Sequence, residues 1–86
     1  MNYFVYVLYS LNKGSIYIGQ SNDPYLRLQY HNAAKNKATK HAIPWEIAHI
    51  EKFSSRAEAM KREKALKSGQ GRAWLKSLLR EKGYNI

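Results

Sequence analysis

The sequence predicts an α/β (α+β) domain: a small, mainly antiparallel three-stranded sheet covered by helices, in the order β-β-α-β-α-α. Three observations carry this prediction. Residues 3 to 9, YFVYVLY, and 15 to 19, SIYIG, are β-branched and aromatic runs separated only by the polar SLNKG, which is the pattern of a hairpin. A third such run, WEIAHIEKF, spans residues 45 to 53. The segments after Asn22-Asp23-Pro24 and after Ser55 instead carry helix starts followed by helical spacing of apolar residues.

If Ser10 to Lys13 form a four-residue loop, Tyr9 faces Gly14, Val7 faces Ile16 and Val5 faces Ile18, which gathers the branched residues on one side as the core. That register sets Tyr6 opposite Tyr17 on the other side, with Gly19 across from Phe4. Asn22 or Asp23 caps the first helix, with Pro24 tolerated in its first turn, and the helix is expected to reach about Ala34. Leu26 and Tyr30 share one face of it, and Arg27 and His31 a neighbouring one. Residues 35 to 44, KNKATKHAIP, read as a basic loop without periodicity. Ser55 and Glu58 form a capping box for a second helix ending near Lys67, with Gly69 and Gly71 closing it. Trp74, Leu75, Leu78 and Leu79 then lie at helical spacing in a third helix from about Arg72 to Lys82.

Eighty-six residues make one domain, residues 1 to 86, with a modest core and no room for a second lobe or a large enclosed cofactor pocket. Fifteen Lys and Arg stand against six Asp and Glu, a net charge of +9, which makes a polyanion the first partner to consider. No cysteine occurs, so disulfides, thiolate zinc sites and thiol redox chemistry are excluded. No apolar run approaches the roughly twenty residues of a membrane span, and the expectation is a cytoplasmic, monomeric protein without a signal peptide.

Glu63 departs from the pattern of its helix, because Ala59, Met60 and Leu66 place it among the apolar positions. An acid there needs a partner: Lys67, four residues on, in a purely structural reading, or a cation. The basic residues of the loop, Lys35, Lys37 and Lys40, and of the second helix, Lys61 and Lys64, suit phosphate contacts rather than base reading. Tyr3, Tyr9, Tyr25 and Tyr30 read as packing or surface aromatics, and His41 and His49 as bystanders.

Phe4-Val5-Tyr6, then Tyr17-Ile18-Gly19, then Arg27 and His31 on one helix and Glu63 on the next, resemble the GIY-YIG endonuclease superfamily over nearly the whole chain. The stretches PWE, EAMKREKALKSG and GRAWLK look closest to small stand-alone bacterial members, which are similar to the N-terminal nuclease domain of the excision-repair subunit UvrC. The resemblance implies a metal-dependent endonuclease that hydrolyses DNA by water attack on the scissile phosphorus, in repair or recombination, with structure-selective cutting. It implies that Tyr17 helps deprotonate the water, that Tyr6 orients that network, and that Arg27 holds the phosphate. His31 would transfer a proton or orient the phosphate, and Glu63 would bind one divalent cation, Mg²⁺ or Mn²⁺. Phe4 and Val5 stand where the family name has Gly and Ile, and Gln20 stands where some members have Lys.

Elementary chemistry fits that set. One or two carboxylates plus water and substrate phosphate commonly suffice for Mg²⁺. A phenol, with an ordinary pKa near 10, needs adjacent positive charge to act as a base. Two other readings stay open: a catalytically weak or inactive nucleic-acid-binding module of the same fold, and a small basic protein that binds RNA. A domain this small also suits a partner protein for target choice.

Overall fold

The computed structural model describes all 86 residues, Met1–Ile86. Strands β1 (Tyr3–Ser10), β2 (Ile16–Ser21) and β3 (Trp45–Phe53) form an antiparallel sheet in the order β2-β1-β3. Helix α1 (Pro24–Asn32) lies between β2 and β3 in sequence, and α2 (Arg56–Lys67) and α3 (Gly69–Glu81) follow β3. The predicted order β-β-α-β-α-α is the observed one, with a short 3₁₀ turn at Lys40–Ala42 inside the segment read as loop.

The two sheet faces separate as alternation requires. Val5, Val7, Tyr9 and Ile18 pack with Ala48 against Ala59 and Leu66 of α2 and Leu75 and Leu79 of α3. Tyr6, Leu8 and Trp45 form a second, smaller cluster with Tyr17, Leu28 and Ile50. α1 belongs to this second face, where its buried residues are Pro24 and His31 alone.

The hairpin register differs from the expected one by two residues. Val7 pairs with Ile18 and Tyr9 with Ile16, so Tyr6 lies opposite Gly19, and Tyr17 opposite Leu8. A two-residue shift preserves the face of every side chain, which is why the core side was foreseen and the partners were not. The cause is at the turn. Ser10 stays in the strand, fully buried, with its hydroxyl donating to the Ala42 carbonyl at 2.6 Å and accepting from the Lys13 amide at 2.9 Å. The loop is therefore Leu11 to Gly14, closed by the Ser10 amide on the Ser15 carbonyl at 2.9 Å, and Gly14 supplies a φ of +70° in the turn instead of a strand position. On the other side of β1, a bulge between the Val7–His49 and Leu8–Ile47 pairs leaves Ala48 without a partner.

The helix ends also shift. α1 stops at Asn32, two residues short of the expected Ala34, which instead takes a φ of 62°. Gly69 and Gly71 do not close α2; they open α3, because Ser68 caps that helix by accepting from the Gly71 amide at 3.1 Å. Gly71 is there for proximity: a Cβ on it would come within 2.6 Å of Leu66 Cα and closer still to the Ala65 carbonyl oxygen, whereas a Cβ on Gly69 would meet nothing. Gly71→Ala is accordingly expected to cost about 1–3 kcal/mol as the α2–α3 corner is forced apart. Gly69→Ala is expected to be neutral or slightly stabilising. Chemical denaturation of the two variants checks this, and equal effects would contradict it.

Candidate active site

The second sheet face holds a buried hydrogen-bonded chain. Tyr6 on β1 is 1 % exposed, and its hydroxyl lies 3.0 Å from Nε2 of His31, which α1 lays over the sheet with no exposed surface. Nδ1 of His31 lies 2.8 Å from Oγ1 of Thr39, also fully buried. The Thr39 hydroxyl has the Asn36 carbonyl, at 3.5 Å, as its other partner. The histidine tautomer sets the direction of the chain: with the proton on Nδ1 the ring donates to Thr39 and accepts from the Tyr6 hydroxyl, and with it on Nε2 both bonds reverse.

Tyr17, one strand away and half-buried, reaches the same place. Its ring centroid is 6.4 Å from that of Tyr6 and 4.8 Å from the His31 ring. The two phenols are diagonal neighbours rather than a directly opposed pair. Gly19 makes their approach possible: a Cβ there would fall 2.6 Å from the Tyr6 hydroxyl oxygen and 3.2 Å from Cε2 of Tyr17. Of the YIG-like tripeptide, the glycine thus makes room, the tyrosine is presented, and Ile18 faces the opposite core.

Arg27, one turn before His31 on α1, stacks its guanidinium 4.5 Å above the Tyr30 ring. Burial pushes the Tyr6 phenol above its ordinary pKa; a hydrogen bond and the charge of Arg27 act against that, and the charges of Tyr17 and Glu63 add to it. Burial, with a smaller contribution from Arg27, holds the His31 imidazole below its ordinary value, so the ring is neutral at neutral pH. The ring is fully enclosed, and the half-buried Tyr17 lies against it.

Arg27 also lines a concavity of about 490 Å³ at the end of β2, together with Tyr3, Gln20, Asn22 and Arg56, and no carboxylate lines it. Arg56 and Thr39 escaped the sequence reading. Arg56 was legible only as the first residue of a helix, and Thr39 lay in a segment without periodicity, eight residues from the histidine it meets.

Glu63 comes from α2, a different element from those that carry the aromatic group. Its helix covers the other sheet face, and its carboxylate takes a 2.8 Å ion pair from Lys67, yet its charge is felt at the Tyr6 hydroxyl. The expected basic residues scatter likewise. Lys35 shares a groove with Arg27, Lys64 flanks Glu63, and Lys37, Lys40 and Lys61 are exposed without ion pairs. Arg62 faces inward, giving the Glu51 carboxylate two hydrogen bonds of 2.7 and 3.1 Å.

A small antiparallel sheet with two tyrosines, overlaid by a helix that carries a histidine and an arginine, defines the class: residues 2–78 match the model of the GIY-YIG catalytic domain, and the chain belongs to that nuclease family. Its particular relatives are UPF0213 proteins. One from Staphylococcus epidermidis is 37 % identical over 67 residues, covering 77 % of this chain and 80 % of the relative. One from Listeria welshimeri is 42 % identical over 66 residues, covering 76 % and 72 %. The solution NMR structure of the UPF0213 protein BH0048 from Bacillus halodurans superposes with a TM-score of 0.55 at 33 % identity, covering 91 % of this chain and 85 % of that one.

Nucleases of this family generally use a divalent metal, and no cluster of three or more His, Cys, Asp or Glu occurs here to cage one. The donor set nonetheless fits a largely hydrated Mg²⁺ or Mn²⁺. Glu63 offers one partly buried carboxylate whose only partner is an exposed lysine able to swing away. No helix is long and apolar enough to cross a membrane.

The neutral, buried His31 sets a pH dependence. The unfolded chain's imidazole protonates near pH 6.5 while the folded one resists, so the unfolded state binds the extra proton and stability is lost as pH falls below about 6.5. At Glu51, burial raises the carboxyl, but hydrogen bonds from Arg62 and His49 outweigh it and hold it below its ordinary value. Its contribution is lost only at more acid pH, below about 4.5. His31→Gln is therefore expected to flatten the upper part of the melting temperature against pH curve and leave the lower part. Identical slopes for parent and variant would refute the neutral histidine.

Proposed function

We propose that this protein is a metal-dependent endonuclease that hydrolyses DNA phosphodiester bonds, with Tyr6, Tyr17, Arg27, His31 and Glu63 as its site and repair or recombination intermediates as its substrates. The observation that carries the reading is the half-exposed Tyr17 phenol, seated on the buried Tyr6–His31–Thr39 chain beside Arg27. Arg27 and Arg56, lining one concavity free of carboxylates, hold the scissile phosphate and stabilise the charge it gains. Tyr17 relays the proton of the attacking water to solvent, its hydroxyl oxygen accepting that proton as its own leaves. The new oxygen–phosphorus bond forms as the bond to the leaving oxygen breaks. Tyr6 turns its hydroxyl inward to His31, and Arg27 lies near enough to oppose the upward push of burial on that phenol. His31 is a positioning residue, acting through Tyr6. A cation at Glu63 would supply Lewis-acid stabilisation of the phosphate and leaving group. The charge of +9 supports DNA as the partner.

A binding module without turnover is favoured by one observation, the Lys67 ammonium seated on the only candidate metal ligand. Cleavage of branched, nicked and single-stranded DNA, with and without Mg²⁺ or Mn²⁺, separates the two readings. Glu63→Gln is expected to lower cleavage about 100-fold or more while metal-free DNA binding persists. Arg27→Ala is expected to weaken binding and cleavage together, because it contacts the phosphate in ground and transition states alike. A parent that cuts none of these substrates, or a Glu63→Gln variant that cuts as well as the parent, would leave only the binding module.

A further inference from the structure

A second concavity, of about 460 Å³, runs along the outer face of α1 and is lined by Leu26, Arg27, Gln29, Tyr30, Ala33 and Lys35. Arg27 is the one residue it shares with the concavity at the end of β2. A strand whose phosphate rests on Arg27 therefore has its neighbouring nucleotide at the mouth of this groove. Leu26 is 60 % exposed there, and Tyr25, the residue before it, is 65 % exposed, so the first turn of α1 carries two large solvent-facing side chains.

We propose that this groove binds an unpaired nucleobase next to the phosphate held by Arg27, so that the substrate must offer a flap, bulge or frayed end. The proposal rests on the nuclease reading only for what Arg27 holds. The Arg27 guanidinium lies over the Tyr30 ring and lines the groove, so a base stacked on its groove side would extend an aromatic–cation–aromatic column. Leu26 and Ala33 supply apolar walls, and the exposed Tyr25 ring precedes Leu26 on the same helical turn. The Gln29 amide can both donate to and accept from a base edge. Lys35 provides a second cation, and no carboxylate lines the groove, so its charge complements a nucleotide strand. A paired base keeps its faces within the duplex stack and cannot enter.

The test uses two DNA hairpins of equal charge in a metal-free buffer, one fully paired and one carrying a single unpaired 2-aminopurine, with the parent and a Tyr25→Ala/Leu26→Ala double variant. Both replaced side chains are exposed, so folding is retained, and circular dichroism confirms it. The parent is expected to bind the unpaired probe about tenfold more tightly than the paired one and to quench its fluorescence by stacking. The double variant is expected to lose both effects while keeping paired-duplex affinity and salt dependence, since Arg27 and Lys35 remain. Equal affinity of the parent for both probes, quenching that persists in the variant, or displacement of both probes equally by polyglutamate would overturn the proposal. Cleavage of the same hairpins after addition of Mg²⁺ or Mn²⁺ separates the two readings. Preference for the unpaired base without cleavage supports the groove and defeats the enzyme, whereas cleavage without preference defeats the groove alone.

Discussion

Helix α1 is held to the sheet by hydrogen bonds more than by oil. Only Pro24 and His31 of its nine residues are buried, Leu28 adds one part-buried apolar contact, and the helix meets the sheet where His31 bonds Tyr6 on one side and Thr39 on the other. The same histidine thereby fixes the Tyr6 phenol, the height of Arg27 above the sheet and the path of the loop that follows. Asn32, the next residue, clamps that loop's far end by accepting from the Trp45 amide at 2.7 Å and donating to its carbonyl at 3.0 Å. Trp45 closes the circuit with its indole N–H on the Thr39 carbonyl at 2.9 Å. Every buried side-chain polar atom has a partner, which a polar core of this kind requires, since a half-satisfied network costs more than an apolar one.

The opposite face is organised by different physics. There α2 and α3 bury aliphatic side chains, and a polar seam finishes the edge. Arg62 grips Glu51, His49 bonds the same carboxylate at 2.8 Å, and Trp74 covers Arg62 with its ring centre 5.2 Å away. Glu63 follows Arg62 in sequence, so the grip on β3 also sets where the acid sits on its helix. The division is functional in kind: one face contributes adjustable polar groups, and the other contributes rigidity.

The β-branched alternation and the capping residues made the elements and faces legible, because those signals are local: β3 lies where its pattern ended it, and Ser55 and Asp23 both cap as read. What failed was what depends on a distant contact. The hairpin register turned on Ser10, whose hydroxyl meets Ala42 across thirty-two positions. Gly71 read as a helix terminator because nothing local shows that another helix's backbone lies against it. Within the site, Tyr6, Tyr17, Arg27 and His31 were visible as an ordered set of residue types, and their grouping is seen in the fold. Thr39 and Arg56 carry no pattern of their own, since a hydroxyl in a loop and an arginine at a helix start acquire meaning only from what the chain brings beside them.

The strand order has a consequence for solubility. The run YFVYVLY, apolar, β-prone and uncharged, is the kind of segment that seeds cross-β association when its edge is bare. Here it is the middle strand, with β2 on one flank and β3 on the other, so its backbone donors and acceptors face partners within the chain. The edges left to solvent are β2, only six residues long, and β3, which carries Glu46, His49, Glu51 and Lys52 and is bent by its bulge at Ala48. A chain that presents tyrosines to a polyanion thus keeps its most adhesive strand out of reach of its own copies.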